Sequence, residues 1–350
     1  MKKLLGVWWV TAVIAGCQSD KELETAPEDQ ENREEFSAVA KNLQSPWDIE
    51  AEGDRFFISE RNGTIAKVEG DQVVREPVAT DKPITQIGEG GLLGLKLHPK
   101  FQENQLAFAY HTYENEDDKI QNRLITLAYN NGEWKEQSSL LEKIPGNNFH
   151  NGGRIEIGQD GCLYVTTGDA QEESLAQDKD SLAGKILRMT LDGEVPGDNP
   201  EEGSYVYSYG HRNPQGLGWS KKGDLYASEH GPNNHDEVNK IEPGKNYGWP
   251  LIVGDETASG AETPLFETGN ETWAPSGTAV HEETIYIASL RGSALRSLNL
   301  QGENAQVITS DYGRLRDVEI VGDSIYFITN NTDGRGNVDS EDDLLVRYDF

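Results

Sequence analysis

The sequence predicts an all-β protein, a six-bladed β-propeller, and three observations predict it. From Phe36 onward the apolar residues fall in short alternating runs bounded by Gly, Asp and Asn, and no stretch carries a long helical period. One phrase of turn, alternating strand and polar loop recurs six times, roughly 40 to 60 residues apart. A further strand often follows at once, so each unit reads as one small antiparallel sheet.

The phrases begin at Gly53 (GDRFFISERNGTIAKVEG), Gln105 (QLAFAYHTYE), Asp160 (DGCLYVTTGD), Lys222 (KGDLYASEHG), Glu283 (ETIYIASLRGSALRSLNL) and Gly322 (GDSIYFITNN). A large β-sandwich or a solenoid is the rival reading on pattern alone. The segment FSAVAKNLQSPWDI ahead of the first phrase supplies an outer strand that would close the last unit and remove the exposed edges of an open array. Propellers gather loops from every blade around a central channel, so chemistry is sought in those loops.

The first residues, MKKLLGVWWVTAVIAGC, place two lysines before a short apolar run and small residues before Cys17. Residues 1–17 therefore read as a lipoprotein signal peptide with its lipobox at Cys17, the alternative being an uncleaved anchor helix. Either way the chain is exported. A lipid on Cys17 would hold it at the extracytoplasmic face of a bacterial membrane. Residues 18–36, acidic and without apolar periodicity, read as a flexible tether, and residues 37–350 as the propeller domain. With Cys17 lipidated, Cys162 has no intramolecular partner, so the fold rests on its own core. The formal net charge of -30 argues against nucleic acid as a partner.

Four loop motifs carry candidate chemistry. FHNGGR and YVTTGD offer His150 and Asp169; a carboxylate on one ring nitrogen makes the other a general base, although a packed histidine satisfied by backbone gives the same pattern. YGHRNPQGLGW crowds Arg212, Asn213 and Gln215 onto a rigid turn suited to carboxylates and carbonyls, unless the arginine merely pairs with an acid. His211 beside them reads as packing. EHGPNNHDEVN and KNYGWP supply carbonyls at Gly231, Pro232 and Tyr247, with Asp236 and Glu237, an all-oxygen set that suits calcium. His230 and His235 lie in the same stretch without a zinc spacing. Finally Arg291, Arg314 and Arg316 sit late in a chain where acids outnumber bases about two to one. Arg314 and Arg316, two apart in a strand, are expected to project together toward an anion, or else to pair with acids such as Asp317.

With these residues laid out, the sequence resembles the soluble quinoprotein glucose dehydrogenases and aldose sugar dehydrogenases, six-bladed propellers that use pyrroloquinoline quinone (PQQ) and calcium. GEGGLLGLKLHPKF, FHNGGR, TTGD, GKILR, GHRNPQGL, SEHGPNNHDEVN, KNYGWP, WAPSG and GRLRDV occur in the family's order, from LQSPWDI to LLVRYDF. The resemblance implies oxidation of an aldose at C1 to the lactone, with electrons passed on to an acceptor that the sequence does not name. It implies His150 as general base oriented by Asp169, and PQQ contacts from Arg212, Asn213, Arg314 and Arg316. It also implies calcium under the quinone on the carbonyls of Gly231 and Pro232, and a second calcium position at Glu237 and Tyr247. Two positions depart from the family pattern. Glu89 stands where a glutamine lies near cofactor and sugar, and Arg291 where a lysine meets the quinone. The competing functions are a calcium-dependent lactonase, which has no use for an arginine cluster, and a non-catalytic sugar- or protein-binding propeller.

Overall fold

The computed structural model describes residues 36–350. The signal peptide, Cys17 and the tether up to residue 35 lie outside the described residues. Among the described residues the architecture is almost wholly β, with one short helix, Phe101–Asn104, and the 3-10 turns Glu173–Ala176 and Asn331–Asp333.

Four sheets have four strands each, and an eight-stranded sheet makes up the rest. That larger sheet consists of two antiparallel runs of four, Pro46 to Ala79 and Leu92 to Pro145, joined only by the parallel pairs Val78↔Trp134 and Ala79↔Lys135. All six recurrent phrases fall on the second strand of a sheet or run: Arg55–Glu60, Leu106–Glu114, Leu163–Thr167, Leu225–Glu229, Thr284–Ser289 and Ser324–Thr329. The N-terminal strand Phe36–Ala40 pairs antiparallel with Leu345–Asp349 and completes the last sheet, as its sequence position led us to expect.

The first strands are Pro46–Glu52, Leu92–Leu97, Ile155–Ile157, Pro214–Trp219, Pro275–His281 and Leu315–Val321. Each packs against the next, and the last returns to the first. Apolar side chains fill the wedges between sheets. Phe57, Leu95 and Trp134 are buried together in one such wedge, with the Phe57 and Trp134 rings edge-on at 5.3 Å. Leu295, Leu315, Phe327 and Val346 fill another.

The centre is polar because first strands have a free edge there, and buried N–H groups need acceptors. Carboxylates on one first strand supply them for its neighbour. Asp48 accepts Leu95 N–H at 2.9 Å, Glu50 accepts Leu97 N–H at 2.9 Å, and Asp317 accepts Ile49 N–H at 2.8 Å. The Arg154 guanidinium pairs with Asp48 and, at 3.0 Å, with Asp317, while its Nε–H donates to Gln215 O at 2.9 Å. It also lies 4.3 Å from the Trp47 ring centroid. Further along the channel Lys96 pairs with Glu50 at 2.8 Å and Glu156 at 3.0 Å.

Burial shifts these acids toward their protonated forms, and the buried cations pull the other way. Burial raises the Asp48, Asp317 and Glu319 carboxyls, and pushes Glu50 up to about 7 despite the Lys96 charge. A carboxyl raised on folding stabilises the fold fully below its unfolded value of 4.5, and that contribution is lost as pH climbs to about 7. Melting temperature is therefore expected to fall between about pH 5 and pH 8. Glu50→Gln, which still offers Leu97 an oxygen but cannot ionise, should flatten that slope; thermal melts with an unchanged slope would contradict this reading.

Candidate active site

The loop from Gly146 to Arg154 meets the end of strand Leu163–Thr167 so closely that two glycines are required. A Cβ on Gly168 would stand 2.0 Å from His150 O, and one on Gly152 would stand 2.7 Å from Thr166 O. This approach puts His150, at φ 60°, beside Asp169. The ring Nδ1 lies 2.8 Å from Asp169 Oδ1. A carboxylate only accepts, so Nδ1 carries the proton and Nε2 keeps its lone pair. Nε2 makes no hydrogen bond to another described residue. Asp169 is fully buried and held by two other donors: Gln171 N–H at 2.8 Å on Oδ1 and Trp249 Nε1–H at 2.9 Å on Oδ2.

Four of the candidate side chains keep a buried donor without a partner. Arg212 donates to His230 O at 3.3 Å, and its guanidinium carbon lies 5.3 Å from the Trp249 ring centroid, but its buried Nε has no partner. Asn213 accepts Gly152 N–H at 3.1 Å and leaves Nδ2 unused. Arg316 donates to Gln215 Oε1 at 2.8 Å and Asn330 Oδ1 at 3.1 Å, and Arg314 to Asp333 at 2.8 Å; the Nε of each is buried and idle. Burial lowers Arg212 and presses Arg316 down to about 9, the mark of cations taken from water without enough negative charge.

Arg314 and Arg316 do not project together as a regular strand would have them. Arg314 precedes strand Leu315–Val321, and the register shifts between Leu315 and Asp317, so Arg316 sits at a bulge and the two arginines find different partners. Asp317 does not neutralise them, because it pairs with Arg154. Arg291 is exposed in the turn after Thr284–Ser289, and its side chain makes no hydrogen bond or ion pair with a described residue. Glu89 pairs with Arg335 at 2.8 Å.

The calcium-type residues line a small pocket of about 10 Å³, room for one water-sized group, between Arg212, Glu229, Gly231, Pro232, Glu237, Tyr247 and Trp249. The carbonyl oxygens of Gly231, Pro232 and Tyr247 accept no hydrogen bond among the described residues. Glu237 faces Glu229 across the antiparallel pair, and both accept from Asn239 Nδ2 at 3.1 Å. Burial and the neighbouring Glu229 raise the Glu237 carboxyl well above its ordinary range. Asp236 is not available to it. Its oxygens accept Gly231, Trp273 and Ala274 N–H. His211 packs as expected, stacked on Tyr247 and bonded to Ser208 Oγ at 2.8 Å.

The motifs named His150, Asp169, Arg212, Asn213, Arg314, Arg316, Gly231, Pro232, Glu237 and Tyr247, but not Glu229, Trp249 or Arg335, which contact or line the same loops. Glu229 stands at the end of the KGDLYASEHG phrase and directly before a histidine, which was the available signal.

The chain matches the sequence profile of the family described as Glucose / Sorbosone dehydrogenase over residues 43–346. It is 28% identical over 334 residues to an aldose sugar dehydrogenase of Escherichia coli (strain K12), covering 83% of this chain and 89% of that protein. It is 36% identical over 205 residues to quinoprotein glucose dehydrogenase B of Acinetobacter calcoaceticus, covering 49% of this chain and 42% of that one. Among solved structures, the PQQ-bound form of an aldose sugar dehydrogenase from Streptomyces coelicolor superposes with a TM-score of 0.83 at 37% identity, over 91% of this chain and 99% of that chain.

The Trp249 contact is directly testable. Trp249→Phe leaves a buried carboxylate oxygen of Asp169 without its donor and is expected to cost about 1–3 kcal/mol of stability in denaturant titrations. A loss near zero would mean that Asp169 does not depend on the indole.

Proposed function

The chain belongs to the Glucose / Sorbosone dehydrogenase family, and from that premise we propose that it oxidises aldose sugars at C1 to the lactone with PQQ and calcium. The observation that carries this reading is the set of buried, unpartnered donors, Nε of Arg212, Arg314 and Arg316 and Nδ2 of Asn213, together with a histidine whose second ring nitrogen is free. Such a set fits a rigid polycarboxylate, and the all-oxygen pocket beside it fits calcium. Four four-stranded sheets and the two runs of the larger one support a count of six blades.

Arg212, Asn213, Arg314 and Arg316 would hold the quinone, with Glu89 at its edge. Arg291 is assigned to it by family pattern alone, since its side chain is exposed. The carbonyls of Gly231 and Pro232 would hold calcium under the quinone, and Glu237 with Tyr247 the second calcium. Bound there, the pair supplies a hydride acceptor polarised by a Lewis acid. The chain's part is the proton. His150 Nε2 takes it from the anomeric hydroxyl, and Asp169, fixed by Trp249 and Gln171, stabilises the imidazolium that forms.

The N-terminal reading completes the proposal: residues 1–17 as a lipoprotein signal, residues 18–36 as tether, its last residue Phe36 already opening the first strand, and residues 37–350 as the catalytic propeller at an extracytoplasmic membrane face, delivering electrons to an acceptor still to be identified. Labelling with a clickable fatty acid should mark the parent chain and not Cys17→Ala; equal labelling removes the anchor.

The activity test follows dye reduction across a panel of aldoses with PQQ and calcium added singly and together. Turnover is expected only with both, and His150→Gln should reduce it by about 10²- to 10⁴-fold. Turnover without PQQ, or His150→Gln at parental rate, would overturn the assignment.

A further inference from the structure

We propose that Arg335 is a positioning residue that sets the basicity of His150 by neutralising Glu89, an inference that rests on the base role assigned above. Glu89 brings a carboxylate to the wall of the site: its Oε2 lies 3.5 Å from the His150 backbone N–H, and its own N–H donates to Asn148 O at 2.7 Å. A negative charge there favours the imidazolium and would withhold the lone pair that the reaction uses.

Arg335 answers that charge from the far end of the chain. Its Nη1 is 2.8 Å from Glu89 Oε1, across 246 residues of sequence. Its guanidinium carbon also lies 5.3 Å from the ring centroid of Phe149, the residue before His150, which is 38% exposed. One side chain thus touches both Glu89 and the loop that carries His150. Its own loop is anchored through Asp333, which accepts Arg335 N–H at 2.9 Å on one oxygen and the Arg314 guanidinium at 2.8 Å on the other.

Other charges face Glu89, and they do not replace Arg335. Burial alone would raise its carboxyl, and His230, Arg335 and Arg316 together hold it below the ordinary range. His230 makes no hydrogen bond to Glu89, and its Nε2 is buried without a partner. Arg316 is committed to Gln215 and Asn330. Arg61 spends its guanidinium on the carbonyls of Gly88 and Gly90, and Arg212 donates to His230 O. Arg335 alone among them hydrogen-bonds the Glu89 carboxylate. His150 is faced in turn by Asp169, whose charge is shared with Trp249 and Gln171, and by Glu89.

The test is a charge cycle read in two ways: the acid limb of kcat/KM against pH, and the NMR titration midpoint of the His150 ring in the protein without quinone. Arg335→Gln should move both up by about half a unit, and Glu89→Gln should move both down by a similar amount. The double variant should return to the parent, and Arg335→Lys should stay with it. A merely structural role predicts parallel losses at every pH with no opposite signs. Midpoints unmoved in both single variants, or shifts of the same sign, would overturn the proposal. The NMR arm reads the ring even if the protein oxidises no sugar, so failure of the enzymatic reading and failure of this one are separable; melting curves of Arg335→Lys guard against simple unfolding.

Discussion

Arg154 is the interaction on which the rest of the molecule depends. It comes from the third first strand's approach, pairs with Asp48 of the first and Asp317 of the last, and donates to the backbone of Gln215 on the fourth. One buried guanidinium thereby ties four walls of the channel. Two carboxylates cannot stand ionised together in that interior without it. Removing a partner from a buried network of this kind costs about 3–5 kcal/mol, because the remaining charge is stranded. Arg154 is also the final residue of FHNGGR, four positions from His150, so the clamp that closes the ring also fixes the root of the loop that carries His150.

The channel and the site use charge in opposite ways. In the channel, acids are consumed: Asp48, Glu50 and Asp317 spend oxygens on the N–H groups of neighbouring first strands, and Arg154 and Lys96 balance part of what remains. Near His150 the bases are left over, since Arg212, Arg314 and Arg316 each keep a buried Nε idle. A protein with a net charge of -30 does not leave buried arginines short of anions for want of acid. Arg212 and Arg316 pair with no carboxylate among the described residues, a shortfall with the sign that a polycarboxylate cofactor requires.

Much of the fold was legible because the second strands of the sheets alternate cleanly against apolar wedges. The first strands were harder to see. Their channel faces carry Asp48, Glu50, Gln215, Asp317 and Glu319, buried polar residues that erase the apolar period, so Pro214–Trp219 read as loop until its pairing was visible. Within the site, short-range spacing found His150 and Asp169, only 19 residues apart. It missed Trp249, which reaches Asp169 across 80 residues, and Arg335, which reaches Glu89 across 246. Periodicity misled at Arg314 and Arg316 because one bulge cancels the rule that alternate residues share a face. Asp236 looked like a ligand from its neighbours, but backbone N–H groups had already claimed it.

The central claim is that the idle donors around His150 form the seat of a quinone. The measurement that tests it most directly is a crystal structure of the protein grown with PQQ and calcium. The account predicts quinone density with its carboxylates against Arg212, Arg314 and Arg316, a metal within reach of the Gly231 and Pro232 carbonyls, and His150 Nε2 facing the open side. Quinone absent from this seat at saturating concentration, or bound elsewhere with those three arginines untouched, would contradict it.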